Sequence, residues 1–198
     1  MKLSVAIVGC GGYAKVVLDM AVKLNLHIVG FFDDEKTHFC GYPVLGKISD
    51  MTAQYKYILA IGDSATRKRI VENTDVLWVS IVHPSCIVAR SVRIGKGTVI
   101  CAGAIIQPGV GIGEHCIVNT NANVDHECQI GNFSSICPGV TICGNVTIGE
   151  CSFIGAHAVI IQKISIGSNC VVGAGSVIIR NINSGITVVG NPGREILV

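Results

Sequence analysis

The sequence predicts two parts of different architecture, a small α/β domain over residues 1–82 and an all-β parallel helix over residues 83–198. From Val82 to Ile178 an aliphatic residue stands at every sixth position without exception. Upstream of this repeat, short apolar runs rich in β-branched residues alternate with a glycine-rich turn and a stretch of helical spacing. The periodicity changes near His83, where we place the boundary between the two parts.

The α/β domain is predicted to contain a β-α-β unit followed by a further strand, a helix and a last strand. In chain order, the predicted elements are a strand at residues 3–8, a helix at 14–24, strands at 27–32 and 57–61, a helix capped by Ser64, and a strand at 77–82. The glycine-rich turn lies between the first strand and the first helix, where a helix N-terminus can bind an anion.

The repeat indicates a solenoid, because a period of six fits neither an α-helix nor an alternating strand. Four residues after each aliphatic position comes a residue that is usually small or β-branched, such as Ala104, Ala122 or Ser134. Small residues at these positions fit a narrow interior. We therefore predict a parallel β-helix of three hexads per coil, in which 18 residues advance the chain by one coil and no long loop interrupts the stack.

Composition and charge argue against several classes of function. The 198 residues are 49% hydrophobic and 14% charged with a net charge of +2, which gives no electrostatic footprint for nucleic acid. The ten cysteines include no C-x-x-C pair, so we expect free thiols and no metal site. The first apolar run is too short to cross a membrane and leads into a glycine loop rather than a cleavage site. We expect a soluble cytoplasmic protein without a signal peptide or membrane insertion.

The glycine-rich turn matches a phosphate-binding fingerprint. Its spacing Gly9-x-Gly11-x-x-Ala14, with Asp33 about twenty residues on, is that of a Rossmann-like dinucleotide site and taken alone would suggest NAD. Such glycines let backbone N–H groups approach a diphosphate, and a carboxylate at the next strand end can accept hydrogen bonds from a nucleoside. Because the domain has room for only half of a doubly wound fold, a nucleoside diphosphate fits it better than a dinucleotide. The alternative is a glycine turn that only packs the helix on the strand.

The repeat resembles that of the hexapeptide-repeat acyltransferases. A half Rossmann-like domain before such a repeat resembles one group among them, the sialic acid O-acetyltransferase family, which includes N-acetyltransferases of nucleotide-linked 4-amino-4,6-dideoxy sugars of the UDP-N-acetylbacillosamine pathway type. The motifs that carry the resemblance are residues 8–15, 31–34, 60–63, 119–120, 125–128 and 190–193. The resemblance implies a left-handed β-helix, a homotrimer and an acetyl-CoA site between adjacent subunits.

The same resemblance implies which residues hold the sugar nucleotide. In the N-acetyltransferases the glycine loop, the paired aspartates and the glycine after the third strand bind the nucleotide. The residues implied here as substrate-binding are Gly11, Gly12, Tyr13, Asp33, Asp34, Gly62 and Asn119. The family often has histidine where this chain has Tyr13, and a phenol can still donate a hydrogen bond to a phosphate.

His126 is the candidate general base. In the hexad frame Val124 and Cys128 point inward, which leaves His126 outside at a corner of the β-helix. Acetyl transfer from a thioester to an amine requires a group that removes a proton, and histidine titrates in the right range. By family resemblance Glu127 supports the base, although direct contact between these neighbours would need the corner geometry or a neighbouring subunit. The 18-residue step places Gly144 in the same column, where we expect it to leave room for a substrate chain.

Acetyl-CoA is implied by the resemblance to lie along the coils that follow the base. The residues implied as its site are Ser135, Gly144, Gly155, Gly173 and Ala174. Much of that contact would be made through backbone amides. Because acyl transfer is direct, the reaction needs neither an acyl-enzyme nor a metal.

These observations together predict an acetyl-CoA-dependent N-acetyltransferase that acts on the 4-amino group of a nucleotide-linked sugar, with UDP as the expected nucleotide. Two alternatives stay open from the sequence. An O-acetyltransferase acting on sialic acid or a related sugar would need the same base. A non-catalytic nucleotide-binding module on a trimeric solenoid would need only the glycine loop and the repeat.

Overall fold

The computed structural model describes residues 4–196, so residue 3 of the first predicted strand and the extreme ends of both predicted parts lie outside the described residues. The elements of the α/β domain are β1 Ser4–Val8, α1 Gly12–Lys23, β2 His27–Phe32, β3 His38–Phe39, β4 Tyr42–Gly46, a 3-10 turn at Ile48–Asp50, β5 Lys56–Leu59, α2 Ser64–Glu72 and β6 Leu77–Trp78. The strands form one sheet in the order β3-β4-β2-β1-β5-β6, and every pairing except the β3–β4 hairpin is parallel. Within residues 4–196, neither helix has the length and apolar composition needed to cross a membrane.

Two local features of this domain differ from the prediction. The β3–β4 hairpin has no predicted counterpart, because β3 is only two residues long and β4 buries none of its side chains. The N-cap of α2 is Asp63 rather than Ser64, since the Asp63 Oδ1 accepts the Thr66 N–H at 2.7 Å.

The boundary between the two parts lies slightly before the predicted position. Leu77–Trp78 pairs with β5 in the α/β sheet, whereas Ile81–Val82 pairs with the next coil of the β-helix. The stretch predicted as one strand is therefore divided, and the architecture changes before His83 is reached.

The β-helix has three flat faces. The first face consists of Ile81–Val82, Val99–Ile100, Ile117–Val118, Ser135–Ile136, Phe153–Ile154, Val171–Val172 and Thr187–Val189, with Arg194–Ile196 added antiparallel at its end. The second face consists of Ile87–Val88, Ile105–Ile106, Asn123–Val124, Thr141–Ile142, Val159–Ile160 and Val177–Ile178. The third face consists of Arg93–Ile94, Gly111–Ile112, Gln129–Ile130, Thr147–Ile148 and Ser165–Ile166. We call the turns from first to second, second to third and third to first face the first, second and third corners.

The register of the coils confirms the predicted 18-residue step. Ile81 pairs with Val99, Val99 with Ile117, and Ile117 with Ser135. The step shortens only at the last coil, where Val171 pairs with Thr187. Because the step is constant before that point, residues 18 apart stack directly above one another.

The interior is packed as the repeat predicts. The aliphatic side chains of Ile100 and Ile136 are fully buried. Hydroxyls in the small-residue positions bond between coils: the Ser134 Oγ donates to the Gly149 carbonyl at 2.8 Å and accepts the Ser152 N–H at 3.2 Å. These polar groups are thus satisfied inside an apolar prism.

From Gly97 to Gly175, each corner contains one residue in the left-handed region of backbone conformation. These residues recur at every sixth position from Gly97 to Gly175, and many of them are not glycine, for example Asn121 at φ 56° and Glu127 at φ 58°. A left-handed residue turns the chain sharply, so it changes the direction in which the neighbouring side chains project.

The α/β domain covers the first face over four coils. The outward residues Ile81, Val99, Ile117 and Ser135 are buried, whereas Phe153 in the next coil is 43% exposed. The α/β domain is therefore packed directly on the first half of the β-helix and leaves the later coils of this face exposed.

His115 lies in the joint between the two parts. Its ring stacks on Phe133, with centroids 5.4 Å apart and planes 6° apart, and meets Trp78 edge-on at 5.4 Å. The residue is buried, and neither ring nitrogen has a hydrogen-bond partner among residues 4–196. Burial lowers the pKa of His115 from 6.5 to about 4, and the charges of Lys96 and Arg67 act in the same direction.

The lowered pKa of His115 predicts that stability falls in mild acid. Above pH 6.5 the ring is neutral in both the folded and the unfolded chain. As the pH falls from 6.5 to about 4, the unfolded chain takes up the proton and the folded chain does not, so up to about 3 kcal/mol of stability is lost. Urea unfolding across this pH range should show a smaller loss for His115→Phe, which keeps a ring on Phe133. His157→Phe, at an exposed corner, is the control, and equal pH dependence in all three proteins would contradict the assignment.

Candidate active site

His126 lies at the second corner, immediately after the strand Asn123–Val124 of the second face. Val124 and Cys128 are buried on either side of it, while His126 itself is exposed, as the hexad frame predicts. The Asp125 Oδ1 accepts the backbone N–H of His126 at 2.7 Å and so fixes the start of the corner. The imidazole therefore projects from a rigid edge of the prism rather than from a loop.

His126 and Glu127 are in direct contact within one chain. The His126 Nδ1 lies 3.3 Å from the Glu127 Oε2, and the two side chains are 53% and 65% exposed. The left-handed φ of 58° at Glu127 brings these sequence neighbours to the same side of the chain, which a straight strand would not do. With Nδ1–H donating to the carboxylate, the Nε2 is left as the acceptor of a proton.

Gly144 supports the imidazole from the next coil. A Cβ built on Gly144 would overlap the ring of His126, with the Cδ2 at 3.0 Å and the Nε2 and Cε1 closer still. The expectation that Gly144 leaves room for a substrate chain is therefore wrong, because the imidazole itself fills that space. Glycine at this position leaves space for the Nε2 end of the ring against the backbone of the next coil.

A shallow groove adjoins this corner on the second face. It has a volume of about 300 Å³, and its lining includes Ile105, Asn123, Asp125, Thr141 and Cys143. The groove combines aliphatic walls with a few polar groups, which is the composition of a small-molecule site. Its position beside His126 gives space for a reacting group next to the base.

The glycine loop forms a second, separate groove. Helix α1 begins at Gly12 after the extended N-cap residue Gly11, and both glycines are exposed. They line a groove of about 530 Å³ together with Lys15, Lys36 and His38. Backbone N–H groups and cationic side chains suit an anionic ligand. The sequence did not indicate Lys36 and His38, because they reach the groove through the β3–β4 turn and hairpin that the pattern does not reveal.

Asp33 braces the glycine loop rather than facing a ligand with a free carboxylate. Its Oδ2 accepts the Cys10 N–H at 2.8 Å, and its Oδ1 accepts the N–H groups of Glu35 and Lys36 at 3.0 Å each. Burial acts to raise the pKa of Asp33, but these backbone donors and the charge of Lys36 outweigh it, and the pKa lies below its ordinary value. The carboxylate is therefore ionised and largely committed to the backbone.

Asp34 is the more accessible of the paired aspartates. It is exposed, and its Oδ1 accepts the Ile48 N–H at 3.0 Å. It lines a further groove of about 320 Å³ whose walls also include Lys36, Lys47 and Asp50. Lys36 lines both grooves of the α/β domain, so its side chain lies between them.

The Tyr13 hydroxyl does not face the glycine-loop groove, contrary to the expectation that it donates to a phosphate. The side chain packs into the cluster that contains Ile81, Val99 and Cys101 of the first coils. The hydroxyl is buried without a hydrogen-bond partner among residues 4–196, and burial raises the pKa of Tyr13 well above its ordinary value. Tyr13 thus anchors the start of α1 on the first corner of the β-helix.

Asn119 and Gly62 lie beside different corners of the β-helix. Asn119 stacks one coil after Cys101 at the first corner, and its Oδ1 accepts the Thr120 N–H at 2.8 Å. Gly62 is exposed, and its carbonyl accepts an N–H of Arg67 at 2.6 Å, a side chain that also bonds to the third corner. The first corner meets the α/β domain through Tyr13, whereas His126 lies at the second corner, across the second face.

Three of the five residues expected to bind acetyl-CoA are already engaged. The amides of Ser135, Gly155 and Gly173 donate to carbonyls of the next coil at 2.7 to 2.9 Å. Ser135 is also buried under the α/β domain, where its Oγ accepts an N–H of Arg67 at 3.0 Å. These three amides are therefore not free for a ligand. The burial of Ser135 could not be predicted from the repeat, because the repeat does not show which face the α/β domain covers. Ala174 is exposed at the first corner.

Comparison with protein families matches both parts of the chain. Residues 4–74 match the family described as the PglD N-terminal domain. Residues 91–126 match the hexapeptide repeat of succinyl-transferase, and residues 145–180 match the bacterial transferase hexapeptide of six repeats.

The curated proteins that match include one named as an N-acetyltransferase. A UDP-N-acetylbacillosamine N-acetyltransferase of Bacillus subtilis (strain 168) is 35% identical over 111 residues, which cover 50% of this chain and 51% of that protein. The chain thus spans about half the length of this curated relative.

Two solved structures match over nearly the whole chain. The acetyltransferase domain of PglB from Neisseria gonorrhoeae FA1090 has a TM-score of 0.93 and 36% identity, covering 98% of this chain and 99% of that one. PerB from Caulobacter crescentus, in complex with CoA and GDP-perosamine, has a TM-score of 0.91 and 30% identity, covering 98% of this chain and 97% of that one. The resemblance drawn from the motifs is confirmed, and the chain belongs to the family of hexapeptide-repeat acetyltransferases that carry a PglD N-terminal domain.

Proposed function

We propose that the chain is an acetyl-CoA-dependent N-acetyltransferase that acts on the 4-amino group of a UDP-linked 4-amino-4,6-dideoxy sugar. The observation that carries this proposal is the pairing of His126 with Glu127 at a rigid corner, in a chain that also has a cationic groove at the N-terminus of α1. A related acetyltransferase domain has been solved with acetyl coenzyme A, and PerB with CoA and GDP-perosamine. The site thus has a base for the acceptor and an anion groove for the nucleotide.

The proposed reaction is a direct transfer. The amine nitrogen attacks the thioester carbonyl, and His126 accepts the amine proton at its Nε2 while Nδ1–H remains bonded to Glu127. The new C–N bond forms, the C–S bond breaks, and CoA leaves as the thiol after taking up a proton. Asp125 contributes by holding the backbone of His126 in place.

The α/β domain is proposed to bind the sugar nucleotide. The backbone amides at Gly11, Gly12 and Tyr13, at the start of α1, together with Lys15 and Lys36, would hold the diphosphate. Asp34 and the exposed Gly62 would border the nucleoside. Asp33 would act indirectly, through the Cys10 amide that it fixes.

The donor site is proposed to lie along the corners that flank the second face. Ala174, exposed at the first corner, and Gly144, beside His126 at the second, are the residues of the expected set that fit this path. Ser135, Gly155 and Gly173 do not, since their amides donate to carbonyls of the β-helix.

We propose that the working form is a homotrimer whose active site is shared between copies. Tyr13 fixes the glycine loop at the first corner, and His126 projects from the second corner, so the width of the second face separates them within one chain. A neighbouring copy that brings its second corner against the first corner would unite base, Asn119 and nucleotide. In a closed ring of such heterologous contacts, every copy makes both contacts, so every active site is complete.

The first test is mass spectrometry of UDP-, GDP- and TDP-linked 4-amino-4,6-dideoxy sugars after incubation with acetyl-CoA and the protein. We expect a gain of one acetyl group on the UDP-linked member. Mass spectrometry avoids thiol-release dyes, with which the ten cysteines would react. A gain only on the GDP- or TDP-linked sugar would reassign the nucleotide, and acetylation only of sialic acid or another sugar hydroxyl would replace the proposal by an O-acetyltransferase.

His126→Ala should lower kcat by about 100-fold or more, because the proton acceptor is lost while both grooves are unchanged. Binding of the nucleotide sugar, measured by calorimetry, should be nearly unaffected. The control is His27→Ala, an exposed histidine at the start of β2 and at the end of the sheet opposite the glycine loop, which should keep full activity. If His126→Ala keeps most of its turnover, the assignment of the base fails.

Sharing of the site between copies can be tested by subunit mixing. Gly12→Asp places a charge against the diphosphate at a position where an added Cβ meets nothing within 4 Å, so the fold should tolerate it. Co-expression of Gly12→Asp with His126→Ala should restore about a quarter of the wild-type activity, since one random contact in four joins an intact groove to an intact base. Two inactive variants that stay inactive together would show that each chain works alone.

A further inference from the structure

Arg67 is a buried cation that the proposed mechanism does not use. It lies on α2 and is 1% exposed. Its neighbours on the helix, Lys68 and Arg69, are more accessible to solvent. Burial lowers the pKa of Arg67 from its ordinary value, which reflects the cost of removing a guanidinium from water.

All the hydrogen-bond donors of the guanidinium are used. Nη1 donates to the carbonyls of Ile61 and Gly62 at 3.3 and 2.6 Å. Nε donates to the carbonyl of His115 at 3.1 Å. Nη2 donates to the Phe133 carbonyl at 2.6 Å and to the Ser135 Oγ at 3.0 Å. None of these five acceptors carries a formal charge, so the arrangement is not an ion pair.

The acceptors belong to two different parts of the molecule. Ile61 and Gly62 form the turn after β5, which we call the nucleotide turn because it borders the proposed nucleotide site. His115 and Phe133 stack in successive coils at the third corner, and Ser135 follows on the first face. One planar side chain therefore fixes the distance and the angle between the nucleotide turn and the β-helix.

A joint of this kind is not needed for stability alone. Removing a guanidinium from water is costly, and this cost offsets much of what its buried hydrogen bonds contribute to stability. The guanidinium instead offers a rigid fork of donors with defined directions, which a flexible ammonium cannot reproduce. The chemistry thus favours a role in orientation.

We infer that Arg67 is a positioning residue, which orients the nucleotide turn on the β-helix so that the bound amine reaches the base of the neighbouring copy. This inference rests on the proposed function. A displacement of about 1 Å at a reacting amine can cost about 100-fold in rate, so a loosened joint would act on kcat. The sites of acetyl-CoA and of His126 lie at other corners and stay intact.

The test compares Arg67→Lys with the control Lys68→Gln. Lys68 also links α2 to the β-helix, through an exposed ion pair with Glu150 at 3.3 Å, so the control removes a surface contact between the same two parts. Trp78, the one tryptophan of the chain, touches His115 in the joint and reports on its packing. Three quantities are measured on the full chain: acrylamide quenching of Trp78 fluorescence, kcat for transfer to the sugar nucleotide, and KM for acetyl-CoA.

For Arg67→Lys we expect stronger quenching of Trp78 and a fall in kcat of about 10- to 100-fold, with KM for acetyl-CoA nearly unchanged. Lys68→Gln should match the unaltered chain in quenching, in kcat and in KM. Unchanged quenching in Arg67→Lys would contradict the inference that Arg67 holds the two parts together. Stronger quenching with normal kcat would show that Arg67 has a structural role only. If the unaltered chain acetylates no sugar nucleotide, the proposed function and the positioning role both fail, while quenching still decides whether Arg67 holds the joint.

Discussion

The constraint on which the structure depends is the constant 18-residue coil, closed by one left-handed residue at each corner. These residues recur at every sixth position from Gly97 to Gly175. For a residue other than glycine this conformation costs about 1 kcal/mol or more, and the hydrogen bonds between coils must offset it. Asn121, Asn145 and Asn169 occupy such positions, as expected from the tolerance of asparagine for this region. The cost is repeated at each corner from Gly97 to Gly175, where the left-handed residue lets the chain turn sharply between two faces.

The same constraint creates the candidate catalytic pair. Glu127 occupies a left-handed corner position, and the turn there brings its carboxylate to the imidazole of His126. Gly144, in the next coil, lets the ring lie against the backbone. The orientation of the base thus follows from the architecture and needs no dedicated loop.

How far the site could be predicted depends on whether its contacts are set by the repeat or by domain packing. The frame placed His126 outside at a corner between Val124 and Cys128, because an exact period fixes direction at every position. It did not show that Ser135 is covered or that Tyr13 points into the joint, since both depend on how the α/β domain docks on the first face.

The α/β domain shows the same division between local and non-local information. The glycine loop could be located from its spacing, because a strand, a tight turn and a helix are local features. The cations of the groove could not, since Lys36 and His38 approach it through the connection and hairpin that follow β2, where the strands are short and no apolar alternation marks them. The sequence therefore identified the loop but not the charges around it.

The exposure of the candidate catalytic pair gives a reason why assembly would matter for the proposed chemistry. With His126 and Glu127 more than half exposed, water screens their interaction, and an exposed ion pair contributes no more than about 1 kcal/mol. In the proposed trimer a neighbouring copy covers this corner and excludes water, and the same contact then interacts in a lower dielectric. The same subunit contact would also bring the amino sugar to the base, because the neighbouring copy would hold the sugar nucleotide on its α/β domain. Base activation and substrate delivery would thus depend on the same subunit contact, so that an isolated chain would have each part of the site but not the working combination.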